Sequence, residues 1–101
     1  MPAIARDGDP TSTGHGCVGT TTITGPTGAG AKVFANGIPI ECQGNPTVVH
    51  AFGGRRCSAV HAAAINVGSG NVFVGGVSVA RVGDSTDGGA ILSGSPNVFA
   101  N

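Results

Sequence analysis

Three histidines and three cysteines are the side chains of this sequence best suited to binding a metal. Four of them predict one site, namely His15, His50, Cys57 and His61, the last two in the spacing C-x3-H. Three imidazoles and one thiolate form a closed tetrahedral set, which is typical of structural zinc. We therefore expect one structural zinc ion bound by these four residues.

Three of these four ligands have an alternative interpretation. Cys17 competes for the thiolate position. It follows His15 by two residues, and residues two apart on a strand place their side chains on the same face. His15 is otherwise a plain loop residue, His50 a half-buried strand residue, and Cys57 a small buried apolar group. Cys42 is expected only to pack, and an odd number of cysteines argues against a closed disulfide framework.

An internal repeat organises the chain around these ligands. Three segments share one pattern, IARDGDPT (4–11), IECQGNPT (40–47) and VARVGDST (79–86). A second set precedes them, AKVFANGIPI (31–40), NVFVGGVSVA (71–80) and NVFAN (97–101). This register aligns Asn101 with Asn36 and Met1 with Gly37, so the third unit is split between the chain ends, which should lie within roughly 10 Å of each other. His15 and His50 occupy nearly equivalent places in two units, whereas the third unit has Gly89 and Ala90 there.

Short strands must position these residues. The chain has 12 Val and 6 Ile but one Leu, a balance that favours strands. Asn36-Gly37 and Gly75-Gly76 are hairpin turn signals, because both dipeptides tolerate positive φ. The stretch Ser58 to Ile65 is the one candidate helix. We predict an all-β fold, a small cone or prism of three pseudo-threefold-related β-hairpin units with little or no helix, in one domain over residues 1–101.

Composition narrows the possible partners. With five basic and five acidic residues the net charge is zero, so no long-range attraction to nucleic acid is expected. The N-terminus lacks a secretory signal, and no apolar run approaches the roughly 20 residues of a membrane span. The sequence therefore predicts a cytoplasmic chain, and any export would use a route that reads no N-terminal signal.

The repeated motif resembles the Pro-Ala-Ala-Arg motif of the PAAR-repeat family. Ser78-Val79-Ala80-Arg81 stands for that motif, Pro39-Ile40-Glu41-Cys42 is a degraded copy, and Pro2-Ala3-Ile4-Ala5-Arg6 looks like the motif with one residue inserted. Gly8-Asp9-Pro10-Thr11 and His15-Gly16 match the Gly-Asp-x-Thr and His-Gly elements of the family. The similarity covers essentially the whole chain.

The resemblance implies a structural role. PAAR proteins form a pointed cone on the blunt end of a homotrimeric β-helical spike, the VgrG-like spike of type VI secretion systems or that of contractile phage tails, with one tip per trimer. It implies a zinc ion held by three His and one Cys, transient contact with the target membrane, and secretion together with the spike. The repeat fills the chain, so no effector domain is expected, and any effector cargo would bind non-covalently.

An enzyme is the less favoured class. A catalytic zinc needs an open position and a nearby carboxylate base, whereas Glu41 is the sole Glu and lies in the degraded motif. Asp84 and Asp87 lie in the unit that lacks His, and no nucleophile–His–carboxylate order stands out. Two alternatives to a secretion tip stay open, a pyocin-like or phage-tail tip and a small glycan-type β binding module.

Overall fold

Five antiparallel hairpins make up the protein in a computed structural model that describes residues 1–25 and 31–101. The strands pair in chain order, β1 with β2, β3 with β4, and so on to β10. They are β1 Pro10–Ser12, β2 Thr20–Thr22, β3 Phe34–Ala35, β4 Ile38–Pro39, β5 His50–Gly53, β6 Ala59–His61, β7 Phe73–Val74, β8 Val77–Ser78, β9 Ser85–Thr86 and β10 Gly89–Ala90. A 3-10 turn, Arg55–Cys57, joins β5 to β6. The all-β prediction is confirmed, and none of the described helical turns is long and apolar enough to cross a bilayer.

The one candidate helix, Ser58 to Ile65, does not form. Ala59–His61 is strand β6, and the residues after it continue in extended pairing, with Ala64 bridging Pro46 and Ile65 bridging Thr86. Local Ala-rich propensity is a weak influence here, because pairing with β5 and Pro46 of the same unit and with Thr86 of the third unit decides the conformation.

Three equivalent strand pairs surround one axis, of which two are hairpins and the third is formed by the two chain ends. Phe34 pairs with Pro39, Phe73 with Ser78, and Phe99 with Ala3. The backbone N–H groups of Ile40, Val79 and Ile4 donate to Val33, Val72 and Val98 at 2.9, 3.1 and 2.9 Å. The chain ends therefore pair in the register that the repeat predicts.

A closed ring of backbone hydrogen bonds links the three units. The N–H of Ala5 donates to Ala80, that of Ala80 to Glu41, and that of Glu41 to Ala5, at 2.9, 2.9 and 3.0 Å. Ala3–Arg6 thus occupies the same place as residues 39–42 and 78–81. The motif copy at the N-terminus needs no inserted residue.

Two apolar layers lie on either side of this ring. The hairpins enclose the first, which contains Ile4, Ile40 and Val79 together with Ala35 and Ala100. Ile23, Ile65 and Ile91 form the second layer with Ala5 and Ala80. Each unit contributes one large aliphatic side chain to each layer, so the core follows the axis as a narrow column.

The segments beyond the second layer repeat the same symmetry. Asp9, Asn45 and Asp84 close equivalent turns, since each side-chain oxygen accepts the N–H of the residue three positions earlier at 2.7 to 2.8 Å. Three buried threonines then follow, bridged in a cycle to the isoleucines, as Thr11 with Ile91, Thr47 with Ile23, and Thr86 with Ile65. The molecule is elongated, with principal extents of 41, 24 and 23 Å.

Candidate metal centre

Three histidines and one aspartate come together just after the buried threonines of the three units, Thr11, Thr47 and Thr86. His50 on β5 and His61 on β6 are direct cross-strand partners, so both rings lie on one face of that hairpin. His15 lies in the loop between β1 and β2, and Asp87 occupies the turn between β9 and β10. Each of the three units therefore supplies at least one side chain.

The four ligand atoms form a compact group. The His15, His50 and His61 Nε2 atoms lie 3.0 to 3.3 Å from one another. Asp87 Oδ2 lies 2.7, 2.9 and 3.1 Å from the Nε2 atoms of His15, His50 and His61. Tetrahedral bonds of about 2.0 Å separate neighbouring ligand atoms by about 3.3 Å, so these six distances fit around one small cation.

Hydrogen bonds on the far side of two rings fix which nitrogen faces the group. Nδ1 of His15 lies 2.8 Å from the carbonyl oxygen of Gly16, and Nδ1 of His50 lies 2.8 Å from that of Val48. A carbonyl only accepts, so each Nδ1 carries the proton and each neutral ring turns an Nε2 lone pair inward. Two lone pairs that face each other repel unless a cation lies between them. This arrangement fits a metal ion.

Electrostatics at the group favour binding of a cation. Burial by itself raises the pKa of the Asp87 carboxyl, but hydrogen bonds to His50 and His15 lower it below its usual value overall. The hydrogen bond to the Gly16 carbonyl is the largest effect that raises the pKa of His15, with Asp87 adding to it. Asp87 therefore stays ionised, while the His15 ring takes up a proton readily when no metal competes.

The structure brings together three of the four predicted ligands and replaces the fourth. Cys57 is bonded to Cys17 in a disulfide with a Cα–Cα distance of 5.7 Å, so neither thiolate belongs to the group. This corrects both Cys57 as the expected ligand and Cys17 as its alternative. It also corrects the expectation drawn from an odd cysteine number, since two cysteines pair and Cys42 stays free and buried.

Asp87 is the candidate ligand that the sequence interpretation missed. In the third unit Gly89 and Ala90, which offer no ligand atom, occupy the places of the histidines. Yet Asp87-Gly88 is an Asp-Gly dipeptide between two short strands, which is a strong hairpin signal. Asp87 adopts φ 57° in that turn, which directs the carboxylate toward the other units. Reading this turn as a hairpin would have placed a carboxylate beside the two histidines.

Glycines allow the loops of this end to approach closely. A Cβ atom on Gly14 would lie 2.1 Å from the Gly88 carbonyl oxygen, and one on Gly89 would lie 2.2 Å from that of Ser12. Beside this contact, the ring of Phe52 stacks on His61 with a centroid distance of 4.3 Å. The first and third units are thus held so close that backbone fills the space where side chains pack elsewhere.

Cys42 has the packing role expected from the sequence. Its side chain is buried, and burial together with the neighbouring Glu41 raises the pKa of its thiol. A protonated, inaccessible thiol is a poor nucleophile and a poor ligand.

No protein-family model matches the chain, and no curated protein matches it. The function must therefore be argued from the geometry.

Proposed function

We propose that this protein is the metal-stapled conical tip of a homotrimeric, VgrG-like spike in a type VI secretion system. The observation that carries the proposal is the closed pseudo-threefold arrangement that a single chain forms at its hairpin end, the end with the strand pairs of Phe34, Phe73 and Phe99. Such an end offers three equivalent surfaces, so one copy can contact all three subunits of a homotrimer at once. The blunt spike of a contractile phage tail presents the same symmetry and is the alternative partner.

Exposed aromatic side chains support docking at the hairpin end. Phe34, Phe73 and Phe99 are equivalent under the pseudo-symmetry, and they are 57, 53 and 46% exposed. They alternate along the strands with the inward Ala35, Val74 and Ala100. Large exposed apolar side chains in a symmetric set are typical of an interaction surface. A partner with threefold symmetry is the one that engages all three alike.

The metal centre has a structural role in this proposal. His15, His50, His61 and Asp87 would hold one zinc ion, which supplies crosslinks between the three units where little apolar surface is left to bury. Small domains need such staples. Four protein ligands close the tetrahedron, so no position is left for a substrate.

Complex formation with a spike tests the proposal. Co-expression with a VgrG-like trimer should give one tip per three spike chains by native mass spectrometry. Replacing Phe34, Phe73 and Phe99 together by Ser should abolish the complex.

A matched control uses two valines near the other end. Val49 and Val60 are 62 and 59% exposed, and replacing both by Ser should leave the complex intact. Equal losses in the two variants, or a complex with three tips per trimer, would refute threefold docking at the phenylalanines.

A further inference from the structure

The disulfide lies beside the metal centre and joins two units of the fold. Cys17 follows His15 by two residues in the loop of the first unit. Cys57 ends the turn between β5 and β6, the hairpin that carries His50 and His61. One covalent bond therefore connects the loop of one ligand to the hairpin of two others.

His15 depends on this bond more than the other ligands do. His50 and His61 are held by strand pairing with each other. The loop after β1 has Gly14, Gly16 and Gly19, and Thr13 at its start accepts the N–H of Gly88 at 2.8 Å. Beyond that point its described backbone hydrogen bonds are local, such as Val18 to Gly16 at 2.9 Å. Glycines give a loop many alternative conformations. The disulfide is the crosslink that limits where this loop can place the imidazole.

The same bond is open to solvent. Both Cys17 and Cys57 are exposed, and both adopt positive φ, at 72° and 57°. Non-glycine residues adopt this conformation only where the surrounding structure imposes it. Exposed disulfides are those that reductants reach, and they are the more labile class.

We propose that the Cys17–Cys57 disulfide is a redox latch that positions His15 and thereby sets the metal affinity of the centre. A dithiol reductant transfers two electrons and two protons to the disulfide, which gives two thiols and the oxidised, cyclic form of the reductant. The His15 loop is then released, and the metal must order it on binding. Metal is held tightly in an oxidising compartment and loosely in a reducing one.

The latch rests on the metal binding proposed above, and it has a reciprocal consequence. If oxidation raises the affinity for metal by a given factor, metal raises the resistance of the disulfide to reduction by the same factor. We expect a factor of about ten or more, within the usual range of coupling between two sites. This second readout does not depend on any activity of the protein.

Titration with Co²⁺ tests the latch in the full-length protein. The oxidised protein should bind Co²⁺ about tenfold or more tightly than the dithiol-reduced protein, and reoxidation should restore the affinity. The double variant Cys17→Ser/Cys57→Ser should bind like the reduced protein in both conditions. Cys42→Ala, which keeps the disulfide, should behave like the unsubstituted chain.

Several results would overturn the inference. Equal Co²⁺ affinity in the oxidised and reduced protein would show that the disulfide does not position His15. A thiolate-to-cobalt absorption band in the reduced protein would show that a cysteine is a ligand rather than a latch. Absence of binding in both states would refute the metal centre and the latch together, while the docking proposal would still be judged by the spike complex alone.

Discussion

Glu41 provides the sharpest test of the axial packing. It takes the place that Ala5 and Ala80 take in the other two units, and its side chain is 0% exposed. Neither carboxyl oxygen has a hydrogen-bond partner among the described residues. An ionised carboxylate in such a place is strongly destabilised, because nothing replaces its lost hydration.

The pKa of Glu41 follows from this position. Burial raises it from 4.5 to about 8, and the negative charges of Asp7 and Asp9 add to the effect. A raised pKa means that the folded chain keeps a proton that the unfolded chain has lost. The free energy of unfolding should therefore fall as the pH rises from about 4.5 to about 8.

The magnitude is large for a domain of this size. Each pH unit inside that interval costs about 1.4 kcal/mol, so the loss approaches 4 to 5 kcal/mol, by an order-of-magnitude estimate, at the upper limit. Total stabilities of small domains are about 5 to 15 kcal/mol. Glu41→Gln removes the titration and keeps the shape. We expect this variant to be more stable than the unsubstituted protein by about 3 kcal/mol at pH 7, with the difference shrinking toward pH 4.5.

Denaturant unfolding followed by far-UV circular dichroism at several pH values measures this difference. The variant and the unsubstituted protein are both measured without metal, so that titration of the histidines cancels in the difference. Asp7→Asn is the matched control, because it keeps Glu41 but removes one repelling charge and should give a smaller gain. A difference between Glu41→Gln and the unsubstituted protein that stays constant from pH 5 to 8 would refute the buried, unpartnered carboxyl.

Three further predictions concern the close backbone contact at Gly89, the chain ends and the metal centre. Gly89→Ala should destabilise the fold by about 2 kcal/mol or more, because its Cβ would meet backbone, whereas Gly70→Ala, which has open space, should change the melting temperature little. A circular permutant joined from residue 101 to residue 1 and opened at Asn36-Gly37 should fold and bind metal like the parent in circular dichroism and Co²⁺ titration, and a molten product would contradict the paired ends. Removing metal with a strong chelator should lower the melting temperature by about 10 °C or more, and an unchanged midpoint after verified removal would contradict the stapling role.

The internal repeat made most of the fold predictable from the sequence. Its register predicted that strand pairing runs as if Val98-Phe99 continued into Ala3-Ile4-Ala5, because Asn101 and Met1 align with the two residues of the Asn36-Gly37 turn. The candidate helix near Ser58 does not form, for a physical reason. Strand β6 is only three residues long and is stabilised by pairing with β5, while Ile65 after it pairs with Thr86 of the third unit, and local propensity registers neither contact.

The candidate site was predictable as far as the repeat is regular. His15 and His50 were found because two units place them at matching positions, and His61 was found through its spacing. Asp87 and the disulfide lie where the units diverge. Whether Cys57 meets Cys17 or a metal depends on how two loops from different units fold over each other, and spacing along the chain does not determine that.

Joining three units in one chain gives the molecule two different geometries at once. In a homotrimer every position on the axis would be occupied by the same residue three times, so its apex could offer ligands only in threes. Here the three units differ: the first provides one imidazole, the second provides two, and the third provides a carboxylate. Fourfold coordination thus becomes compatible with a threefold base, and each unit can change at the apex without disturbing the symmetric face.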